Sequence, residues 1–123
     1  MSKILLVEDD EVLAKMYKKK FELDGFEVLV AYSGHDALVV VPQLKPDVVL
    51  LDVMMPGMDG FQVLKTLKSD PKVSQIPVVI LTNLGSSQMF IDEAKRLGAA
   101  EYLIKYKTSA ETVLETVKKQ INK

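Results

Sequence analysis

Asp47-Val48-Val49-Leu50-Leu51-Asp52-Val53-Met54-Met55-Pro56-Gly57 holds four branched apolar residues closed by an acid and followed by a Pro-Gly break. Nothing polar alternates within Val48 to Leu51. Such a run suits a strand covered on both faces, the condition of a strand inside a parallel sheet. The first residue to leave it is Asp52, so this strand hands a carboxylate to one edge of the sheet.

Four further runs of the same kind lie on either side: Ile4 to Val7, Phe26 to Ala31, Pro77 to Leu81 and Tyr102 to Ile104. Between and after them, apolar residues fall at helical spacing. They are Leu13, Met16, Tyr17 and Phe21; Ala37 and Leu38; Phe61, Leu64 and Leu67; Phe90, Ala94 and Leu97; and Val113, Leu114, Val117 and Ile121. Strand and helix therefore alternate. That order predicts an α/β fold: a doubly wound five-stranded parallel sheet with right-handed crossovers and helices on both faces. Asp10 is placed to cap the first helix, and Gly25 and Gly98 stand where a left-handed residue ends the first and fourth. Thr108-Ser109-Ala110-Glu111 has the spacing of a capping box for the last. Val39-Val40-Val41-Pro42 predicts a kinked or frayed second helix, because β-branched residues and proline suit a helix interior poorly. Lys18-Lys19-Lys20 reads as a solvated helix face, and His35, among Ser33, Gly34 and Asp36, as an exposed residue. No repeat or linker interrupts the pattern, so a single domain is expected over residues 1–123.

Composition narrows what that domain can do. With 16 Lys and Arg against 17 Asp and Glu the formal net charge is −1, so no positive surplus draws the chain to nucleic acid or anionic lipid. Zero cysteines exclude disulfides, zinc-thiolate sites and thiol nucleophiles. The first apolar run meets Glu8-Asp9-Asp10 after four residues, too short for a signal peptide or a membrane span. A cytoplasmic protein is expected.

In an open α/β sheet, ligands bind outside the carboxyl ends of the strands. Glu8, Asp9 and Asp10 follow the first strand, Asp52 ends the third, Thr82 the fourth, and Lys105 follows the fifth. Taken singly, each has an ordinary explanation as a cap or a solvated loop residue. The signal is the set, since otherwise apolar runs all deliver polar groups to one rim. If the first and third strands are neighbours, Glu8 and Asp9 face Asp52, and like charges that close call for a cation. Oxygen ligands without His or Cys favour a hard ion, and Mg²⁺ suits so few carboxylates better than Ca²⁺. Lys105 and the Thr82 hydroxyl complete a pocket fit to stabilise a phosphoryl group in transfer. Asp52 is then the natural nucleophile, forming an acyl phosphate.

The segments Ile4 to Asp10, Asp47 to Gly60, Val79-Ile80-Leu81-Thr82 and Tyr102-Leu103-Ile104-Lys105 resemble the receiver domains of two-component response regulators, and the likeness covers the whole chain. The resemblance implies the flavodoxin-like strand order 2-1-3-4-5. It further implies that Asp52 accepts a phosphoryl group from a sensor histidine kinase or histidine phosphotransfer protein. Glu8, Asp9 and Asp52 would hold Mg²⁺ together with the backbone carbonyl of Met54. Thr82 and Lys105 would contact the phosphoryl oxygens, and Tyr102 would be the aromatic switch. The surface of the fourth helix, fifth strand and fifth helix would then bind a downstream protein. So read, the chain catalyses only its own phosphorylation and dephosphorylation, as a monomer or weak dimer without direct contact to nucleic acid or membrane. The alternative is a receiver domain excised from a larger DNA-binding or enzymatic regulator.

Two other classes fit less well. An aspartyl-phosphate phosphatase wants a second acid two residues after its nucleophile, where this chain has Met54, and a flavodoxin-like binding module wants a phosphate loop where Glu8-Asp9-Asp10 stands. Two positions depart from the receiver pattern: Asn83 replaces a usually small residue after Thr82, and Tyr106 a usual proline, preceded by a cis bond, after Lys105. Without proline a cis bond costs about 3–4 kcal/mol, so the Lys105–Tyr106 bond is expected trans. Met54 and Leu84 flank the approach to Asp52 in the receiver pattern and predict slow loss of the phosphoryl group.

Overall fold

Each apolar run becomes a strand and each amphipathic stretch a helix in the computed structural model, which describes residues 1–85 and 87–122. In chain order these are β1 (Lys3–Val7), α1 (Glu11–Leu23), β2 (Glu27–Ala31), α2 (Gly34–Leu44) and β3 (Val48–Leu51). Then follow α3 (Gly60–Ser69), β4 (Val78–Thr82), α4 (Gln88–Arg96), β5 (Glu101–Ile104), a 3-10 turn (Lys105–Lys107) and α5 (Ala110–Ile121). The strands form one parallel sheet in the order β2-β1-β3-β4-β5. The register sets Val7 beside Leu51 and Thr82 beside Ile104, so β1, β3, β4 and β5 end at one rim.

Successive strand residues face opposite ways, and two cores result. Leu5, Val7, Val49 and Leu51 pack with Ala37, Val41, Val63, Leu64, Leu67 and Ala94 under α2, α3 and α4. Ile4, Leu6, Val48 and Leu50 pack with Ala14, Tyr17, Phe21, Val113, Leu114 and Val117 under α1 and α5. The central strands β1, β3 and β4 are thus apolar on both faces, as their sequences require. The edge strand β2 is only half covered, leaving Leu29 exposed.

Local departures from the sequence expectations have local causes. The expected capping box does not form: Ser109, not Thr108, caps α5 alone, its Oγ accepting from the Thr112 amide at 3.1 Å. Thr108 is engaged instead by its own amide bond to the Lys105 carbonyl, which closes the 3-10 turn. Met16 is exposed, and Ala14 takes its place in the buried stripe of α1. Rather than fraying, α2 runs through Pro42 to Leu44, because Val41 is fully buried and holds it to the sheet. Asp10 caps α1 as expected, Gly25 and Gly98 have positive φ, and His35 is exposed. Among the described residues there is no cis peptide bond, so Lys105–Tyr106 is trans. No described helix is long and apolar enough to cross a membrane.

Candidate functional site

Two strand ends bring the acids together. Glu8 leaves β1 and Asp52 leaves β3, and because these strands are hydrogen-bonded neighbours the two acids sit side by side. With Asp9 they form a group in which one carboxylate oxygen from each lies within 4.8 Å of the other two. Glu8 and Asp52 are buried, at 2% and 6% exposure, while Asp9 faces solvent.

Each buried oxygen is answered. Thr82 is fully buried at the end of β4 and donates its hydroxyl to Asp52 Oδ1 at 2.9 Å, while the Leu84 amide donates back to Thr82 Oγ1 at 3.2 Å. The Met54 amide donates to the same Oδ1 at 2.9 Å. Lys105 reaches back from the end of β5, its Nζ donating to Asp52 Oδ2 at 2.8 Å and to Glu8 Oε1. The Asp10 amide donates to Glu8 Oε2 at 3.1 Å. Among the described residues no buried side-chain nitrogen or oxygen lacks a partner.

The electrostatics follow from this crowding. Burial pushes the Glu8 carboxyl above its ordinary value, outweighing the hydrogen bonds from Lys105 and the Asp10 amide. Burial pulls the Lys105 ammonium down, but its bonds to Asp52 and Glu8 more than reverse this, holding it above the ordinary lysine value. Three carboxylates face one ammonium, an excess of two negative charges. All the donors are oxygens, and the excess matches a hard divalent cation such as Mg²⁺. The set Glu8, Asp9, Asp52, Thr82 and Lys105 is therefore assembled at one rim as the sequence predicts.

Met54 and Tyr102 lie around it. The Met54 amide touches Asp52, and its side chain is half exposed. Tyr102, half-buried on β5, donates its hydroxyl to the Gly85 carbonyl at 2.9 Å, tying β5 to the loop after β4. Two features escape the sequence reading. Gly60, at the start of α3, lies so close to the backbone after β3 that an added Cβ would stand 2.4 Å from Val53 Cα and 2.6 Å from the Asp52 carbonyl. The Tyr106 amide donates to Asn83 Oδ1 at 3.1 Å. The only sequence signal for this bond is that both residues depart from the receiver pattern beside Thr82 and Lys105.

Comparison with known proteins agrees with this geometry. The family model for the response regulator receiver domain matches residues 4–118. The chain is 40% identical over 119 residues to protein PilH of Pseudomonas aeruginosa, covering 95% of each. It is also 40% identical over 104 residues to response regulator PleD of Caulobacter vibrioides, covering 85% of this chain but 23% of PleD. The solved receiver domain of Francisella response regulator 1452 superposes with a TM-score of 0.89 at 33% identity, covering 99% of this chain and 98% of that one. Strand order, the acid-lined rim and a family match across nearly the whole chain agree: this chain belongs to the response regulator receiver domain family, the signalling modules of two-component systems.

Proposed function

We propose that the chain is a phosphoacceptor switch in which Asp52 receives a phosphoryl group from a histidine kinase or histidine phosphotransfer protein. The observation that carries this reading is the Asp52 carboxylate, buried at 6% exposure yet held at once by Thr82, Met54 and Lys105 beside two further acids. A carboxylate oxygen of Asp52 attacks phosphorus as the bond to the donor's nitrogen or oxygen breaks. Lys105 and the Thr82 hydroxyl then exchange their bonds to the carboxylate for bonds to phosphoryl oxygens. Glu8, Asp9 and Asp52, with the Met54 carbonyl, are the residues to hold Mg²⁺, which when bound neutralises the charge that gathers on the transferring group.

Phosphorylation exchanges a single negative charge for about −1.5 to −2 and three strong acceptors. Thr82 is joined through Leu84 and Gly85 to the hydroxyl of Tyr102, so a change at Asp52 bears on the α4-β5-α5 surface. A cavity of about 340 Å³ lined by Ile91, Ala94, Lys95 and Tyr102 lies on that surface and suits a protein partner. The match across 95% of PilH likens the chain to a regulator of similar length, and the 23% share of PleD supports the alternative of a receiver within a longer protein.

Incubation with acetyl phosphate and Mg²⁺, followed by intact mass, tests the reading. Wild type is expected to gain one phosphoryl group, and Asp52→Asn or chelation of Mg²⁺ to abolish the gain. Equal gain by Asp52→Asn overturns it.

A further inference from the structure

The hydrogen bond from the Tyr106 amide to Asn83 Oδ1, at 3.1 Å, joins two loops through residues 23 positions apart. Its neighbours in the chain are the two residues that grip Asp52 from opposite sides. Thr82, before Asn83, holds Asp52 Oδ1, and Lys105, before Tyr106, holds Oδ2. The bonds therefore close a ring that runs from Asp52 through Thr82, Asn83, Tyr106 and Lys105 and back to Asp52. Every link but one is a peptide bond or a contact to the carboxylate itself. The exception is Asn83 to Tyr106.

Tyr106 is the second residue of the 3-10 turn, and an amide in a first turn has no acceptor within its own turn. Ile104, the residue before the turn, has no side-chain acceptor to offer it. Asn83 supplies the missing acceptor from the other loop, and since an amide nitrogen only donates, the carboxamide presents its oxygen there. A proline at 106 would have no hydrogen to give. The donor at 106 and the acceptor at 83 thus have meaning only together.

We propose that Asn83 and the Tyr106 amide are a matched positioning pair that holds the Lys105 ammonium and the Thr82 hydroxyl in register on Asp52 for phosphoryl transfer. This rests on the reading of Asp52 as phosphoacceptor. Neither residue touches the reacting atoms. Their bond fixes the backbone from which Lys105 reaches back, and phosphoryl transfer depends on such placement more than on added chemistry.

A double-mutant cycle on the full chain tests it, with initial rates of phosphoryl gain from acetyl phosphate in saturating Mg²⁺ read by intact mass. Asn83→Ala is expected to slow the maximal rate about fivefold, the size one net hydrogen bond supports, without moving the half-saturating acetyl phosphate concentration. In a Tyr106→Ala background, where the amide donor stays, Asn83→Ala slows the reaction by the same factor. In a Tyr106→Pro background, where the donor is gone, it has no further effect. Thermal melts of each variant check that all are folded at the assay temperature. Additive losses in the Tyr106→Pro background, or an Asn83→Ala chain as fast as wild type, overturn the pair while leaving Asp52 as phosphoacceptor. A wild-type chain that gains no phosphoryl group overturns the phosphoacceptor reading and the pair with it.

Discussion

Asp9 and Asp10 are adjacent acids with separate tasks. Asp10 Oδ1 accepts from the amides of Val12 and Leu13 at 3.0 and 3.2 Å and so caps α1, whereas Asp9 joins Glu8 and Asp52 in the carboxylate group. Asp10→Ala is expected to lower stability by about 1 kcal/mol, the usual worth of a cap, with little change in Mg²⁺ affinity. Asp9→Ala should do the reverse, weakening Mg²⁺ in a calorimetric titration while sparing the melting temperature. Equal losses of Mg²⁺ affinity from both would refute the ligand assignment. Met54 and Leu84 act at the same scale. Their amides are tied to Asp52 Oδ1 and Thr82 Oγ1, so both side chains are rooted beside Asp52. On the proposed reading of Asp52 as phosphoacceptor, neither could hydrogen-bond strongly to a water placed in line with phosphorus, and both would shield it. The phosphorylated state should therefore be long-lived, and Met54→Asn or Leu84→Glu should speed its hydrolysis by about tenfold or more. Unchanged lifetimes in both variants would sink the shielding argument.

At the scale of elements, the seat of α3 decides where Asp52 stands. Asp59 caps this helix in a reciprocal box with Gln62, and Gly60 then brings it against the chain just past β3. A methyl group at Gly60 would meet backbone atoms at 2.4 and 2.6 Å, and backbone cannot step aside as a flexible side chain can. Gly60→Ala should cost about 1–3 kcal/mol in a denaturant titration and also slow phosphorylation, because α3 must lift away from the Asp52 carbonyl. A stable variant that phosphorylates at the wild-type rate would show that the loop absorbs the methyl freely. Strands were legible in the sequence where burial on both faces forces an unbroken apolar run, so β3 falls on Val48–Leu51 as read. Helix ends were less legible, since Thr108 and Ser109 are equally good caps until the preceding 3-10 turn engages Thr108. The carboxylates, Thr82 and Lys105 were legible because each is a polar residue leaving an apolar strand. Gly60 and the Asn83–Tyr106 bond were not, because each depends on how closely two loops approach, a distance set by packing and not by any local pattern.

For the molecule as a whole, the site is held against the fold's own preference. The two cores meet the rim where β1 and β3 end, so Glu8 is carried to 2% exposure by a strand that buries Ile4 to Val7 before it. Its carboxyl is held above the ordinary value of 4.5, so folding favours the protonated form. That contribution is fully present below the unfolded value and is lost as pH rises through the raised folded one. Above that range the ionised Glu8 is a net cost to stability, since burial outweighs its bonds from Lys105 and the Asp10 amide. Gln at this position removes the charge and keeps one acceptor oxygen for the Lys105 ammonium, while its NH2 stands where the second oxygen took the Asp10 amide and forfeits that bond. Glu8→Gln should then melt higher than wild type at pH 7 in EDTA, with the gain fading as pH falls toward 4.5, where Glu8 also becomes neutral. Mg²⁺ should reverse the order. At a hundred times its dissociation constant it stabilises a binding protein by about 2.7 kcal/mol, and the variant, short of one ligand, forgoes most of that. Melting curves of the two proteins across pH, with EDTA and with Mg²⁺, read both effects. A Glu8→Gln chain that melts lower than wild type at pH 7 in EDTA would mean that the Lys105–Glu8 pair outweighs burial, and that the rim stabilises the fold instead of taxing it.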